Sequence, residues 1–494
     1  MSTSIDPIGP GDFGQAQAHH LLNRAGFGGT PSQVETLRAM GLDRAVSFLV
    51  DYDQIDDTGL ARPAADPDII RRPTAQERAR RAWARKTNDR AVLDQFNAQR
   101  QRQRAEDRRQ MAQVERWWLG RMIATPRPLQ EKLTLLWHGH FATSYRTVRD
   151  SFLMLKQNEL FRQHAKGSFA DLAGAMVRDP AMLRYLNNDR NRKGKPNENL
   201  ARELMELFTL GEGNYGERDI KEGARALTGY TVRGNDFHLD RAQHDGGLKR
   251  ILGKSGPIDG DQFVGVLLGH DACAPWVCTK LYRHFVSDVS EGISARARTV
   301  IDRLAARLRN DKYELAPVLK TLFKSRHFYD PQVQGNKIKT PAELLVGTIR
   351  VVGAPVRDVG ILTDAMHMMG QKLFAPPSVA GWDYGRAWIN TSTLFVRQNT
   401  CAYLVSGKLP FEDAWSRDRI RFDPQALVPE GTSHAPQDVV DHVATTVLGP
   451  TVKIAPEHRS ELVDFMAARD DPVSDDALIA LLLLITGMPE YQLC

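Results

Sequence analysis

The stretch Asn197 to Gly211 sets acids along the edge of a helix that is otherwise built to be buried. At about 100° per residue, Leu200, Leu204, Leu207 and Phe208 fall on one apolar arc, and Asn199, Glu203 and Glu206 fall together beside it. Carboxylates at the border of a core need partners. An earlier segment, Trp137-His138-Gly139-His140-Phe141, offers two histidines. Together the two segments predict a polar, metal-competent centre inside a helical protein.

Helical signals dominate elsewhere. Thr30-Pro31 reads as a cap and Gly41 as a stop, and the Pro-, Asp- and Gly-rich run from 51 to 73 is a surface connection. Thr74 to Ile123 reads as one long charged helix or a helix pair, and shorter helices follow as far as Val352. Thr228 to Leu252 changes character, with Tyr230, Val232, Phe237 and Leu239 spaced by polar and Gly residues, the pattern of a β-hairpin. Gln371 to Asn390 carries Pro376-Pro377 and four aromatic residues and reads as a structured loop. The expected fold is mainly α. One large multi-helix domain spans 1–410, with a small β-hairpin or extended insertion near 228–255, and a helical subdomain spans 411–494.

Composition bounds the partners. A chain of 494 residues that is 42% hydrophobic supports a large core, and its +6 net charge is small for that length. Thirteen Lys or Arg against five acids lie between Arg71 and Arg109, interleaved with Ala and Gln, which reads as a solvated helix and not as a nucleic-acid surface. The longest apolar run, Ala477 to Ile485, is too short to span a bilayer, and the N-terminus lacks a secretory pattern, so the expected compartment is the cytoplasm. Cys273 and Cys278 are spaced so that pairing is neither required nor excluded. No Gly-x-Gly-x-x-Gly follows a strand, and no phosphate-binding loop with Gly-Lys-Ser/Thr, nucleophile elbow or His-Glu-x-x-His occurs, which disfavours the common nucleotide-binding, serine-hydrolase and zincin classes.

Two readings of the polar centre stand side by side. His138 and His140 point about 200° apart in a helix but share a face in an extended segment, and Gly139 makes the second geometry available. With Glu131, Glu203, Glu206 and His244 or Asp245 they form a nitrogen and oxygen donor set for zinc, manganese or iron. In the other reading both are buried imidazoles bonded to Glu203 and Glu206. The acid pair also suits acid–base cleavage of a glycan, with a further acid from Asp219 or Asp245, whereas an Arg202–Glu206 ion pair is its structural counterpart. His244-Asp245-Gly-Gly-Leu-Lys249 is a loop suited to substrate contacts or simply a turn. Trp382, Tyr384 and Trp388 suit sugar stacking or packing.

Several segments taken in order resemble the bacterial family called domain of unknown function 1800 over nearly the whole chain. They are His20 to Gly28, Trp137 to Ser144, Asn197 to Gly211, Asp219 to Thr228, the block from His244 through Lys249 to Gly253, Ser325 to Tyr329 and Pro377 to Trp382. The family carries no firmly assigned activity. The resemblance implies export, and a partner similar to the sulfatase and alkaline-phosphatase superfamily whose members often bear signals; this chain departs from that pattern in showing no recognisable signal, and the alternative to the cytoplasm is export together with a signal-bearing partner. The expected function is a metal-assisted hydrolase acting on an extracellular or surface polymer such as polysaccharide. In it His138, His140 and Glu203 are metal ligands, Glu203 and Glu206 are catalytic, and His244, Asp245, Lys249 and Trp382 bind substrate. The alternative is a non-catalytic helical scaffold or accessory subunit of the sulfatase-like partner.

Overall fold

The computed structural model describes residues 2–71, 73–288, 292–408, 420, 422–429 and 431–494. The first helix, α1 (Gln15–Ala25), ends at Gly26, and α2 (Pro31–Val50) starts on the Thr30 cap. At Gly41, with φ of +73°, α2 bends where the sequence predicts a stop, because glycine takes the left-handed region without a Cβ clash. The charged stretch is a helix pair, α3 (Ala75–Lys86) and α4 (Arg90–Ala124). Pro128 then opens α5 (Pro128–His140) at its first turn, where the missing N–H costs nothing.

Every residue of α5 except Gly139 is buried, so the helix lies at the centre of the molecule. Leu129, Leu133, Leu136 and Trp137 enter one core, shared with α1, α2 and the helices between 169 and 324. Leu135 enters a second core, formed with α4, the helix Pro341–Val352 and the helix Thr391–Ser406. The C-terminal helices Pro436–Leu448, Pro456–Ala467 and Asp475–Gly487 pack into that second core; the expected boundary at 410–411 lies outside the described residues.

The insertion is two antiparallel hairpins: β1 (Tyr230–Arg233) on β2 (Asp236–Leu239), with Tyr230 opposite Leu239, and β3 (Lys249–Ile251) on β4 (Lys254–Gly256). The fold is therefore mainly α with a small β insertion, as the sequence predicts. Among the described residues no helix is long and apolar enough to cross a membrane. Cys273 and Cys278 are free, buried thiols on one helix, Cys273–Phe285.

The aromatic loop 371–390 is bolted to the end of α5. Phe374 sits in the left-handed region at φ +57°, an expensive place for a bulky residue. There its N–H donates to His138 Nε2 at 3.1 Å, and its carbonyl accepts from the Tyr145 N–H at 2.8 Å. Gly381, at φ +89°, lies so close to Gly139 that a Cβ would come within 2.1 Å of the Gly139 carbonyl oxygen. Gly381→Ala therefore meets both strain and a backbone collision, and it should cost about 3 kcal/mol in denaturant unfolding. A variant as stable as the wild type would mean that the loop does not seat on α5.

Candidate active site

The acidic stretch begins as a helix, Asn199–Glu203, and then widens into a π-helical turn, Leu204–Thr209. The Leu210 N–H reaches the Met205 carbonyl at 2.9 Å, five residues back, and the Thr209 hydroxyl donates to the Leu204 carbonyl at 2.5 Å. Such turns are rare and recur at functional sites. A helix end also leaves carbonyls without intrahelical partners. Side chains from two other helices supply them here. Trp276 Nε1 donates to the Leu207 carbonyl, and His140 Nε2 bonds the Phe208 carbonyl, both at 2.9 Å. Gly211, at φ +80°, lets the chain turn tightly over the Trp276 ring.

Glu203 and Glu206 stand half-buried on the outer side of this turn. Burial, followed by the negative charge of Glu206, raises the Glu203 pKa above its ordinary value of 4.5, and Arg202 opposes the shift only in part. Glu206 Oε2 accepts a 2.7 Å hydrogen bond from the Tyr215 hydroxyl. The expected Arg202–Glu206 pair does not form. Arg202 instead bonds Glu217 at 2.9 Å and Glu198 at 3.2 Å, because the widened turn changes the register past Glu203. Tyr185 lies close enough to Glu203 to feel its charge. Next to the turn, Lys280 Nζ stands 4.4 Å from the Trp276 ring centre; burial, then Arg283, brings its pKa down to about 8.

The histidines lie elsewhere. Because α5 stays helical through His140, His138 and His140 diverge. His138 sits among Trp118, Phe161, Phe374 and Trp382 and receives the Phe374 N–H on Nε2, so its lone pair is already in use. His140 caps the π-turn through a backbone carbonyl, not through Glu203 or Glu206. Glu131 is fully buried and saturated by Arg121, Arg162 and Trp118 at 2.6 to 3.0 Å. The expected donor set is thus not brought together. Among the described residues no group of three or more His, Cys, Asp or Glu side chains is placed to hold a metal ion.

The His244 loop is a closed turn. His244 Nδ1 bonds the Thr228 carbonyl at 2.8 Å, and Asp245 Oδ2 accepts from Arg225 Nε at 2.8 Å, which lowers the Asp245 pKa to about 2. Lys249, 2% exposed, spends its ammonium on the carbonyls of Asp245 at 2.6 Å and Gly247 at 3.1 Å. Asp219 is occupied as well, accepting from the Gly216 and Leu252 N–H groups at 3.0 and 2.8 Å. Trp382 packs on the end of α5, its ring 5.3 Å from that of His138. The site's neighbours Trp276, Lys280, Tyr185 and Tyr215 went unnoticed in the sequence. The i, i+4 spacing of Trp276 and Lys280 was the one local clue.

The fold and this turn define a mainly helical protein with an acidic π-turn capped by side chains of two other helices. Residues 20–493 match the sequence model of a family described as a protein of unknown function (DUF1800), and the chain belongs to that family. No curated protein and no solved structure matches the chain.

Buried neutral histidines carry a pH consequence. Burial lowers His138, His140 and His284 from 6.5 to about 3, and His19 to about 4. The folded-state values lie below the unfolded ones, so this stability is fully present above pH 6.5 and is lost as pH falls towards the folded values. Near pH 5 the unfolded chain binds close to one extra proton per site, which sums to about 5 kcal/mol lost per pH unit. Denaturant unfolding at pH 7, 6 and 5 should show that steep decline. A flat profile would mean that these rings titrate in the folded protein.

Proposed function

We propose that the protein is a hydrolase acting on an extracellular or surface polymer such as polysaccharide, with Glu203 as its general acid and Glu206 as the neighbouring charge that adds to the rise in its pKa. The observation that carries this reading is the pair itself: two half-buried carboxylates on one turn, the first raised by burial and by the second. Glu203 would give its proton to the leaving oxygen and regain one from the attacking water, which balances the hydrolysis. Both acids project from one turn, so they act from the same side of the bond and not as an opposed glycosidase pair. Zinc, manganese or iron has no part in this reading, since His138, His140 and Glu131 are committed to other bonds.

The test is cleavage of a panel of dye-linked polysaccharides. Glu203→Gln should lower kcat about 100-fold or more. Wild-type kcat should fall as pH rises through the raised Glu203 pKa. Glu206→Gln, which removes the repulsion, should move that limb to lower pH. An unmoved limb would sink the assignment of Glu206, and full activity in Glu203→Gln would sink the reading. His138→Ala should cost about 3 kcal/mol, because it strands the Phe374 N–H and opens a cavity, without changing the metal content of the purified protein. Near-stoichiometric metal that disappears in the still-folded variant would restore the metal-assisted reading.

A second reading, an accessory subunit of a sulfatase- or alkaline-phosphatase-like partner, is favoured by the α3–α4 pair. The 71–109 segment carries +8, more than the +6 of the whole chain, so the remainder is slightly acidic. Arg71, Arg78, Arg81 and Arg100 line one groove there, and its Glu77 is already neutralised by Arg71 at 2.7 and 2.8 Å. Such a surface steers an acidic partner.

A further inference from the structure

A cleft of about 540 Å³ lies between α1, α2, the C-terminal end of α4, the start of α5 and the end of the helix Pro341–Val352. That volume is in the range of small-molecule sites. The walls are apolar: Leu22, Leu37, Phe48, Ile123, Pro128 and Ile349 line it, and Phe48 is 42% exposed. Among the described residues Arg350 is the one ionisable side chain on the lining. No residue of the acidic turn borders this cleft, so it stands apart from Glu203 and Glu206.

Arg350 is anchored on one side and open on the other. Nε donates to the Gly28 carbonyl at 3.3 Å, and Nη1 donates to the Ile123 and Thr125 carbonyls at 3.0 and 3.1 Å. Those last two belong to the C-terminal end of α4, so the guanidinium caps that helix. Ile123 and Thr125 themselves line the cleft, which holds the group at its wall. Nη2 has no hydrogen-bond partner and is not sealed from solvent. Among the described residues no carboxylate neutralises the charge: burial alone moves the Arg350 pKa, downwards, and no neighbouring charge of either sign contributes. The negative end of α4 offsets about half of a unit charge. A net positive centre is left beside apolar walls.

That combination is complementary to one negative charge carried on an apolar body. Water would satisfy Nη2, but it neutralises no charge and covers no apolar wall. A phosphate dianion brings more charge than one guanidinium offsets, and a neutral sugar matches neither the charge nor the walls. A carboxylate accepts charge-assisted hydrogen bonds from arginine, and an alkyl chain removes apolar surface such as that of Phe48 from water. We infer that this cleft binds an amphipathic monocarboxylate, whose carboxylate pairs with the open edge of Arg350 and whose alkyl tail lies against Leu37 and Phe48. The site is separate from the proposed hydrolase and needs no chemistry at Glu203.

Isothermal titration of the full-length protein with octanoate, 1-octanol and acetate tests this. Octanoate should bind saturably at one site, about tenfold or more tighter than 1-octanol, which has the tail without the charge, and than acetate, which has the charge without the tail. Arg350→Gln should bring octanoate down to the level of 1-octanol. Because Arg350 also caps α4, the folding of that variant is checked by circular dichroism. If it misfolds, Phe48→Glu replaces it: the position is exposed, the new charge repels the carboxylate, and octanoate should weaken about tenfold with thermal stability retained. No saturable octanoate binding, equal binding of 1-octanol or acetate, or undiminished binding in the folded variant would overturn the site and leave Arg350 as a helix cap alone.

Discussion

Two opposite charges side by side on a helix with no exposed face are the constraint on which the rest of this structure depends. Glu131 and Lys132 are 0% and 1% exposed, and neither can reach water. Burial alone would neutralise Glu131, but Arg162 and Arg121 outweigh it and hold its pKa below the ordinary carboxylate range. Lys132 points to the other side, to Glu343 and the carbonyls of Asn23 and Gly26 at 3.0 and 2.6 Å. Each charge thus recruits helices on its own side of α5. Removing either partner would strand a buried ion, at a typical cost of about 3–5 kcal/mol. Such pairs are weak evidence of net stability. They do, however, fix the direction of each side of α5, and this keeps the two cores in register around one central helix.

That fixed helix ends at His140, and its last turn sets the geometry of the acidic turn and of the aromatic loop. His138 holds the aromatic loop through a backbone N–H, and His140 caps the π-turn through a backbone carbonyl. Buried imidazoles do this well because each neutral ring offers one donor and one acceptor. The two rings use opposite nitrogen roles: His138 Nε2 accepts, whereas His140 Nε2 must carry the proton it gives to a carbonyl. The acidic turn and the aromatic loop are therefore fastened to the same helix end.

The helical class and the β insertion were legible because periodicity and turn residues are local properties. The long polar pair α3–α4, the caps at Thr30 and Thr340, and the Pro-started helices all carry their signals within a few residues. The helices Val359–Met368 and Thr391–Ser406 were harder to see; in the second, Arg397 and Thr400 are buried alongside Leu404, so its apolar stripe is interrupted. The acids Glu203 and Glu206 were legible as a pair beside an apolar arc. The partners of His138 and His140 were not, since backbone groups of Phe374 and Phe208, 236 and 68 residues away, have no sequence signature. A histidine pair in a sequence reads the same whether it serves a metal or a carbonyl. The turn from His244 to Lys249 illustrates the same limit, because the lysine that looks available for substrate is folded back on its own loop carbonyls.

The arrangement also explains why Glu203 is raised without being sealed. A regular helix continued past Glu203 would bond its own Leu207 and Phe208 carbonyls to residues further along, and the chain could not turn at Gly211. The π-turn ends the helix early and transfers those carbonyls to Trp276, which is half-buried, and to His140, which is buried. The inner face of the turn is thereby closed against water, while Glu203 and Glu206 remain half-buried on the other side. Partial desolvation plus a like charge is the combination that lifts a carboxyl pKa while leaving its proton within reach of another molecule. Full burial would raise it further but remove the access. The capping side chains thus do more than satisfy the helix end: they set the depth at which the two carboxylates stand.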